Sequence, residues 1–332
     1  MSDPLWISEL DVVSLMNIED AIDALEQGLL REARGKALNM VKTHATWGNG
    51  STLHAIGAVF PDDGFAGTKT WAHTEGGATP LLLLFDGNTG ALKAIIEAFA
   101  LGQMRTGSAS GVATRWLARE DADELAIIGT GKQAITQVAA VVAVRPIKRV
   151  RVFGRNAERR ERFASRVRDE FYFEPVQAKT VAEAVQGAPI ITVVTRAAEP
   201  ILFGDMIARG AHINAVGAIV PSKAEVASDV LARCAHIVAD SVPSAQKLSR
   251  ELIDYFGSDQ TNWQRVRSLA DVVAAREPRD SSDDLTVFKS LGMGISDLAL
   301  GIKLYQKAVE IGVGRSFPHP QKAAPRFRSG AD

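Results

Sequence analysis

Residues 125–134 read Leu-Ala-Ile-Ile-Gly-Thr-Gly-Lys-Gln-Ala. A short apolar run meets a Gly-x-Gly turn, and a helix-competent stretch, 133–144, follows at once. Strand, glycine turn and helix in that order form the shape that holds a dinucleotide. Gly129 allows the tight bend, Gly131 lets the backbone approach a pyrophosphate, and Ala134 is small enough for close helix–strand packing. The free N–H groups and positive dipole end of the new helix suit phosphate charge. A Gly-x-Gly-x-x-Ala match alone also describes an ordinary strand–turn–helix, so its surroundings decide.

A second strand lies at the expected distance. Residues 149–153 (Arg-Val-Arg-Val-Phe) are rich in β-branched and apolar types and end in Gly154-Arg155-Asn156. In such folds this strand end meets the adenosine ribose, where an acid usually binds the 2′-hydroxyl of NAD. No acid is present, and Arg155 and Arg159 follow instead. A cation suits a 2′-phosphate, so NADP(H) is preferred and NAD(H) is possible. The competing reading is a solvated helix start.

Further strand-like segments follow at 189–195, 212–216 and 237–240, with helical stretches such as 156–169 and 222–235 between them. Alternation of this kind implies a parallel sheet covered on both faces. Ligands then sit at the carboxyl ends of the strands, which places Thr195 and Gly217 near a cofactor. The expected fold is α/β: a Rossmann-type doubly wound parallel sheet plus an α+β domain.

Composition agrees. The 332 residues suggest two domains, at about 100–200 residues each, both long enough to bury a core. An apolar content of 46% and a net charge of −1 fit a soluble protein. No basic tract interleaved with aromatics points to nucleic acid, and no apolar run approaches the roughly 20 residues that span a bilayer. The N-terminus lacks a charged-then-apolar signal pattern, which argues for the cytoplasm. Cys234 is the only cysteine and reads as a buried filler.

The first 120 residues do not repeat the nucleotide pattern. Ile18, Ala21, Ile22, Leu25 and Leu29 fall at helical spacing, with Asn17 a plausible cap. Strand-like pieces follow at 52–60, 65–71 and 80–86, and Asp86-Gly87-Asn88-Thr89-Gly90 turns into 91–96 as a hairpin. A helix-rich segment covers 98–119. The expected division is a substrate-binding and dimerisation domain (1–120, completed by a helix at 296–318), a dinucleotide-binding domain (121–295) and a tail (319–332).

Two cations outside the glycine turn could do chemistry. Lys69 sits in the strand-like run Ala66-Gly67-Thr68-Lys69-Thr70-Trp71. Pattern alone favours a solvent-facing lysine, because lysines are mostly exposed. Arg105, followed by small residues, has room beside it for a ligand, and an arginine can hold a carboxylate through two parallel hydrogen bonds. The six histidines show no metal-ligand spacing, although His44 and His54 could meet across strands. No Gly-x-Ser-x-Gly turn supports nucleophilic hydrolysis. Trp47, Trp71, Ile219 and Tyr255 hint at an apolar pocket wall, though aromatics more often serve the core.

With these pieces in place, the chain resembles the ornithine cyclodeaminase and mu-crystallin family. Gly129-Thr130-Gly131-Lys132-Gln133-Ala134 is similar to its Gly-Thr-Gly-x-Gln-Ala turn, and Gly67-Thr68-Lys69 to its Gly-x-Lys strand. Asp86 to Gly90 resembles its Asp-x-x-Thr-Gly hairpin, and Met104 to Ser110 its Arg-Thr-Ala-Ala segment. His212 to Ala218 and Val287 to Gly292, with Asp297 following, also fit. The resemblance covers about residues 5–315. It implies a homodimer, a nicotinamide cofactor, and hydride transfer at the carbon–nitrogen bond of small amino acids or cyclic imines. By matching position, Lys69 and Arg105 would bind the substrate carboxylate. Lys42 lies near the place of a family arginine with the same task. Gly129, Thr130, Gly131, Gln133, Ala134, Gly154, Arg155, Asn156, Thr195, Val216 and Ser290 would line the cofactor.

One departure matters. Cyclodeaminases and alanine dehydrogenases of the family carry an aspartate just after the Val-Gly-x strand end, and Ile219 takes that place here. Isoleucine can neither accept a proton nor hold an ammonium ion. The expectation is therefore an NAD(P)H-dependent reductase of a small imino or ketimino acid, or the reverse amino-acid dehydrogenase. Ornithine cyclodeaminase is the alternative, and a non-catalytic NADPH- or small-molecule-binding protein is the rival from another class.

Overall fold

The strand Glu124–Ile128, which leads into the glycine turn, lies inside an eight-stranded sheet whose pairings are all parallel. The computed structural model describes residues 3–327. From one edge the strands run Val176–Gln177, Arg149–Phe153, Glu124–Ile128, Ile190–Val193, His212–Ala215, Leu285–Lys289, Cys234–Ala239 and Val266–Ser268. The chain grows outward from Glu124–Ile128 in one direction and then restarts on its other side at Ile190–Val193. That reversal opens a crevice at the strand ends where ligands bind in such sheets. Ile127, Val150, Val152 and Ile190 belong to one apolar cluster, while Ile191, Val193, Ile213 and Val287 belong to another. Two clusters are what a sheet buried on both faces requires.

A nine-stranded, mostly antiparallel sheet forms the other half. Its main order is Arg315–Ser316, Leu5–Ile7, Leu92–Glu97, Leu81–Asp86, Phe65–Thr74, Ser51–Phe60 and Leu38–Asn39. Thr43–Trp47 adds to Ser51–Phe60, and Gly77–Ala78 adds to Phe65–Thr74. Period-two patterning sets its faces. Leu82 and Leu84 are fully buried, whereas Leu81 and Leu83, which alternate with them, are half-exposed. The buried side chains share a core with helices Ile18–Ala33, Phe99–Leu117 and Gly294–Ile311, so the last helix returns to the first sheet. Asn17 caps its helix as expected, accepting from the Asp20 N–H at 2.8 Å.

Arg145 ties the two halves together. It is 8% exposed and donates to the carbonyls of Arg115, Ala118, Arg119 and Val144. The first three oxygens cluster at the end of helix Phe99–Leu117, where intrahelical donors run out, and Val144 lies just past helix Ala134–Val142. The helix that carries Arg105 is thereby fixed against helix Ala134–Val142, which follows the glycine turn.

One expectation needs correction, and three elements went unread. Of 222–235, only Ser228–Arg233 is helical. The preceding stretch is extended, with a Leu202–Val226 bridge, and Glu225 points inward as a hydrogen-bond acceptor. The strand Leu285–Lys289 enters between His212–Ala215 and Cys234–Ala239, and its five buried residues carry no alternation to announce it. Helices Val242–Leu248 and Arg250–Phe256 also escaped the pattern. The part of the expected tail at 319–327 holds no helix or strand, and 328–332 lie outside the described residues.

Candidate active site

Gly129 has φ +117°, and a Cβ there would stand 2.5 Å from the Val194 carbonyl oxygen. Only glycine makes this bend. Gly154 closes on the same turn, since a Cβ on it would lie 2.9 Å from the Thr130 side chain. Above Gly131 the space is open: a Cβ would meet nothing within 4 Å. Helix Ala134–Val142 begins without a side-chain cap; its Ala134 N–H turns back to the Gly131 carbonyl at 3.0 Å, and no side chain serves the N–H groups of the first turn. Glycine cradle, open space and bare helix start fit a pyrophosphate.

The walls of the crevice are held by one carboxylate. Glu225 is fully buried and accepts from the Thr195 N–H and hydroxyl, the Gly217 N–H and the Ala218 N–H. Burial pushes its pKa up, while Lys289 and these donors oppose the rise. It pins the loops that leave Ile190–Val193 and His212–Ala215. Gly217 tolerates no side chain, because a Cβ would be 2.1 Å from the Thr195 carbonyl. Behind Glu225 lies a second buried pair, Lys289 and Glu251 at 2.8 Å. Val216 and Ser290 are buried, and the Ser290 hydroxyl donates to Asp240 at 3.2 Å. Arg155, Asn156 and Arg159 are exposed at the end of Arg149–Phe153. Arg160, which the sequence did not single out, donates to the Gly154 carbonyl at 2.8 Å.

Lys69 is only 3% exposed, which overturns the solvent-facing reading. It faces the helices, as its register partner Ile56 does, and its ammonium donates to Asp297. Asp297 is fully buried in the first turns of helix Gly294–Ile311, where the helix dipole favours an anion. Arg105 approaches the same Asp297 oxygen, Nε to Oδ1 at 3.5 Å, without a hydrogen bond of its own at Nε. Burial lowers the Lys69 ammonium to about 8; Asp297 works against that, and Arg105 and Lys42 add to it. Lys42 is half-buried and is also lowered, by burial and then by Arg105. The three sequence candidates thus converge.

Asp240 is the second anion here and was missed in the sequence. It directly follows strand Cys234–Ala239, is 3% exposed, and accepts from the N–H groups of Leu291 and Gly292. Burial pushes its pKa up. Gly292, at φ +84°, abuts Arg105, for a Cβ there would be 2.8 Å from Nη1. The nucleotide half therefore touches the cationic cluster through this glycine. An acid at a strand's carboxyl end and an acid inside the apolar run 294–302 were the available signals for Asp240 and Asp297.

An aromatic wall adjoins the cluster. The Lys69 ammonium lies 5.2 Å from the Trp71 ring centroid, Trp71 stacks on His54 at 4.7 Å, and His54 on His44 at 5.7 Å. Burial, then Lys42, lowers His54 to about 4, so it is uncharged near neutrality. The other apolar candidates do not join this wall. Tyr255 packs on Phe256 in the second half's core, Trp47 is 47% exposed, and Ile219 is 40% exposed in the loop after His212–Ala215. Among the described residues no group of three or more His, Cys, Asp or Glu could hold a metal ion, and no helix is long and apolar enough to cross a membrane. A groove of about 360 Å³ between helices Ile18–Ala33 and Gly294–Ile311 includes none of the cluster residues.

Comparison with known proteins gives a consistent picture. Residues 3–312 match the model of the ornithine cyclodeaminase/mu-crystallin family. A Δ1-pyrroline-2-carboxylate reductase of Bacillus cereus is 34% identical over 268 residues, 79% of this chain and 80% of that protein. Ketimine reductase mu-crystallin of Mus musculus is 37% identical over 68% of each chain. The solved Δ1-pyrroline-2-carboxylate reductase of Thermococcus litoralis, in complex with NADH and L-proline, superposes with a TM-score of 0.87 at 30% identity. It covers 94% of this chain and 100% of its own.

Proposed function

The chain belongs to the ornithine cyclodeaminase/mu-crystallin family, and from that premise we propose that it is an NAD(P)H-dependent reductase of a small cyclic imino acid. The observation that carries this reading is the buried Lys69–Asp297–Arg105 cluster, which meets the parallel sheet at Gly292, in the loop after strand Leu285–Lys289. Arg105 and Lys42 anchor the substrate carboxylate, with two cations not consumed by close ion pairing. Anchoring of this kind turns a bimolecular encounter into an oriented one, worth up to about 7–11 kcal/mol of the barrier in the best cases.

When bound, the reduced nicotinamide supplies the hydride, to the imine carbon. The chain supplies the proton. An imine accepts hydride far better when its nitrogen is protonated, and Lys69, lowered to about 8, is an ammonium matched to donating near neutrality. Asp297 keeps that ammonium in one orientation and steadies its charge. The Trp71–His54 wall excludes water and offers a flat neutral surface to the ring. Imine, hydride and proton together give the amine, so atoms and charge balance.

Deamination of a diamino acid finds little support. Its second ammonium needs a free acid, yet Asp240 is engaged by backbone N–H groups and Asp297 by Lys69, and Ile219 offers none. Arg155 and Arg159 favour NADP(H) by charge, with NAD(H) possible. The division of labour follows the two sheets: residues 1–120 with the last helix bind substrate, and 121–295 bind the cofactor. The first sheet leaves Leu53 and Val59 exposed and Leu81 and Leu83 half-exposed on its helix-free face, an apolar surface suited to a homodimer. With Δ1-pyrroline-2-carboxylate and NADPH or NADH, the pure protein should form L-proline. Proline and ammonia from ornithine and NAD would refute the reductase reading.

A further inference from the structure

Helix Gly294–Ile311, which carries Asp297, has no cap of its own: its N-cap residue is Met293, whose side chain makes no capping bond. The missing acceptor comes from another element. Asn39 Oδ1 accepts from the Ile295 N–H at 3.0 Å, the position that a capping side chain normally serves. The amide of Asn39 is oriented in turn, since its Nδ2 donates to Glu32 Oε1 at 2.8 Å. Asn39 also stands three residues before Lys42 and pairs with Ala58 in the first sheet. One side chain therefore joins the segment that delivers Lys42 to the helix that delivers Asp297.

We propose that Asn39, steered by Glu32, is a positioning residue for the Lys69–Asp297 pair. This rests on the reading of that pair as the proton-delivering group. The helix start is also confined by the strand that Asn39 pairs with, because a Cβ on Gly294 would lie 1.7 Å from the Gly57 carbonyl oxygen, which itself accepts from the Met40 N–H at 2.8 Å. With backbone against backbone there, Asn39 is the adjustable contact that sets where Asp297 meets Lys69.

Glu32 adds a pH dependence. Its Oε2 is buried without a partner, and burial raises its pKa to about 7, with Asp240 and Asp271 adding repulsion and the Asn39 bond opposing. Those two acids come from the loop after Cys234–Ala239 and from helix Leu269–Ala275, the elements whose charges face it. Below about 7 the orphan oxygen holds a proton and Oε1 still accepts from Asn39. Above it, the ionised carboxylate accepts more strongly from Asn39 while Asp240 and Asp271 repel it, so the grip on the Asn39 amide changes through this range.

The test is the titration of the Lys69 ammonium, followed by NMR with isotope-labelled lysine and assigned through Lys69→Arg, beside the pH profile of turnover. Asn39→Ala should move the Lys69 midpoint below its starting value, because Asp297 withdraws from it. Turnover should fall about tenfold, the scale for an orienting partner one step behind a reacting group, with the KM for the reduced cofactor unchanged. Glu32→Leu should act in the same direction and less strongly, and it serves if Asn39→Ala does not fold. Glu32→Gln keeps the acceptor, so it should keep turnover and lose the inflection near 7. An unmoved Lys69 midpoint in both Asn39→Ala and Glu32→Leu would overturn the proposal, even if melting temperatures dropped. If the wild type reduces no imine, the enzymatic reading fails, while the Lys69 midpoints still decide this one.

Discussion

The two ligand-facing regions are built in opposite ways. The glycine turn is local: Gly129, Thr130, Gly131 and Ala134 are neighbours in sequence, and the backbone does the work. The cationic cluster is assembled from afar: Lys42, Lys69, Arg105, Asp240 and Asp297 come from five separate segments, and charged side chains do the work. A region made of backbone depends on shape and tolerates little added volume. A region made of buried charge depends on partners, because each ion left alone carries its full desolvation cost. The contrast predicts that substitutions will separate cleanly into those that harm the dinucleotide, those that harm the substrate, and those that harm folding.

The largest effect should come from Asp297→Ala. It leaves the Lys69 ammonium buried opposite Arg105 and should cost about 3–5 kcal/mol of stability near neutrality, with turnover lost. The sign of its pH dependence sharpens the test. Because Lys69 has its pKa lowered to about 8, it sheds its proton as pH rises, so the loss seen in denaturant unfolding should shrink well above pH 8. A loss independent of pH would mean that the Lys69 charge is not what Asp297 answers. In the wild type the same titration should make turnover decline as pH rises through about 8, since the donor is then deprotonated.

Next in size is Arg105→Leu. Isothermal titration should show substrate or product binding weakened by about 2 kcal/mol, the low end for a charge pair because Arg105 is 20% exposed. The cofactor constant should stay put, and a shift in both would erase the distinction between the regions. On the other side, Gly129→Ala should cost about 1–3 kcal/mol of stability through its φ of +117° and the nearby Val194 carbonyl. Gly131→Ala should leave melting unchanged, a Cβ there meeting nothing within 4 Å, and still weaken dinucleotide binding by keeping the pyrophosphate off the backbone. The smallest effect is Arg155→Asp, which should move the NADPH-to-NADH affinity ratio about tenfold toward NADH, the scale of one charge-assisted contact.

The same contrast explains what the sequence disclosed. The parallel sheet was readable because apolar runs, glycines and caps act over a few residues: Glu124–Ile128, Arg149–Phe153 and Asn17 sit where pattern placed them. Leu285–Lys289 was not, because its short run ends in a lysine whose burial depends on the distant Glu251. Lys69 illustrates the limit at the site. Its strand was visible, yet its burial depends on Asp297, 228 residues away, and no local pattern joins the two. Glu225 was hidden for a related reason. It sits in a stretch that looked helical, and its meaning comes only from the four donors that converge on it, two from Thr195 in another loop and two from the start of its own.

The central claim is that this chain delivers a hydride to a carboxylate-anchored imine. Its most direct test is a single turnover of Δ1-pyrroline-2-carboxylate with NADPH or NADH deuterated at the transferring position. The account predicts proline carrying deuterium at Cα, formed by the wild type and lost in Lys69→Met. Proline without the label, or label transfer undiminished in Lys69→Met, would contradict it.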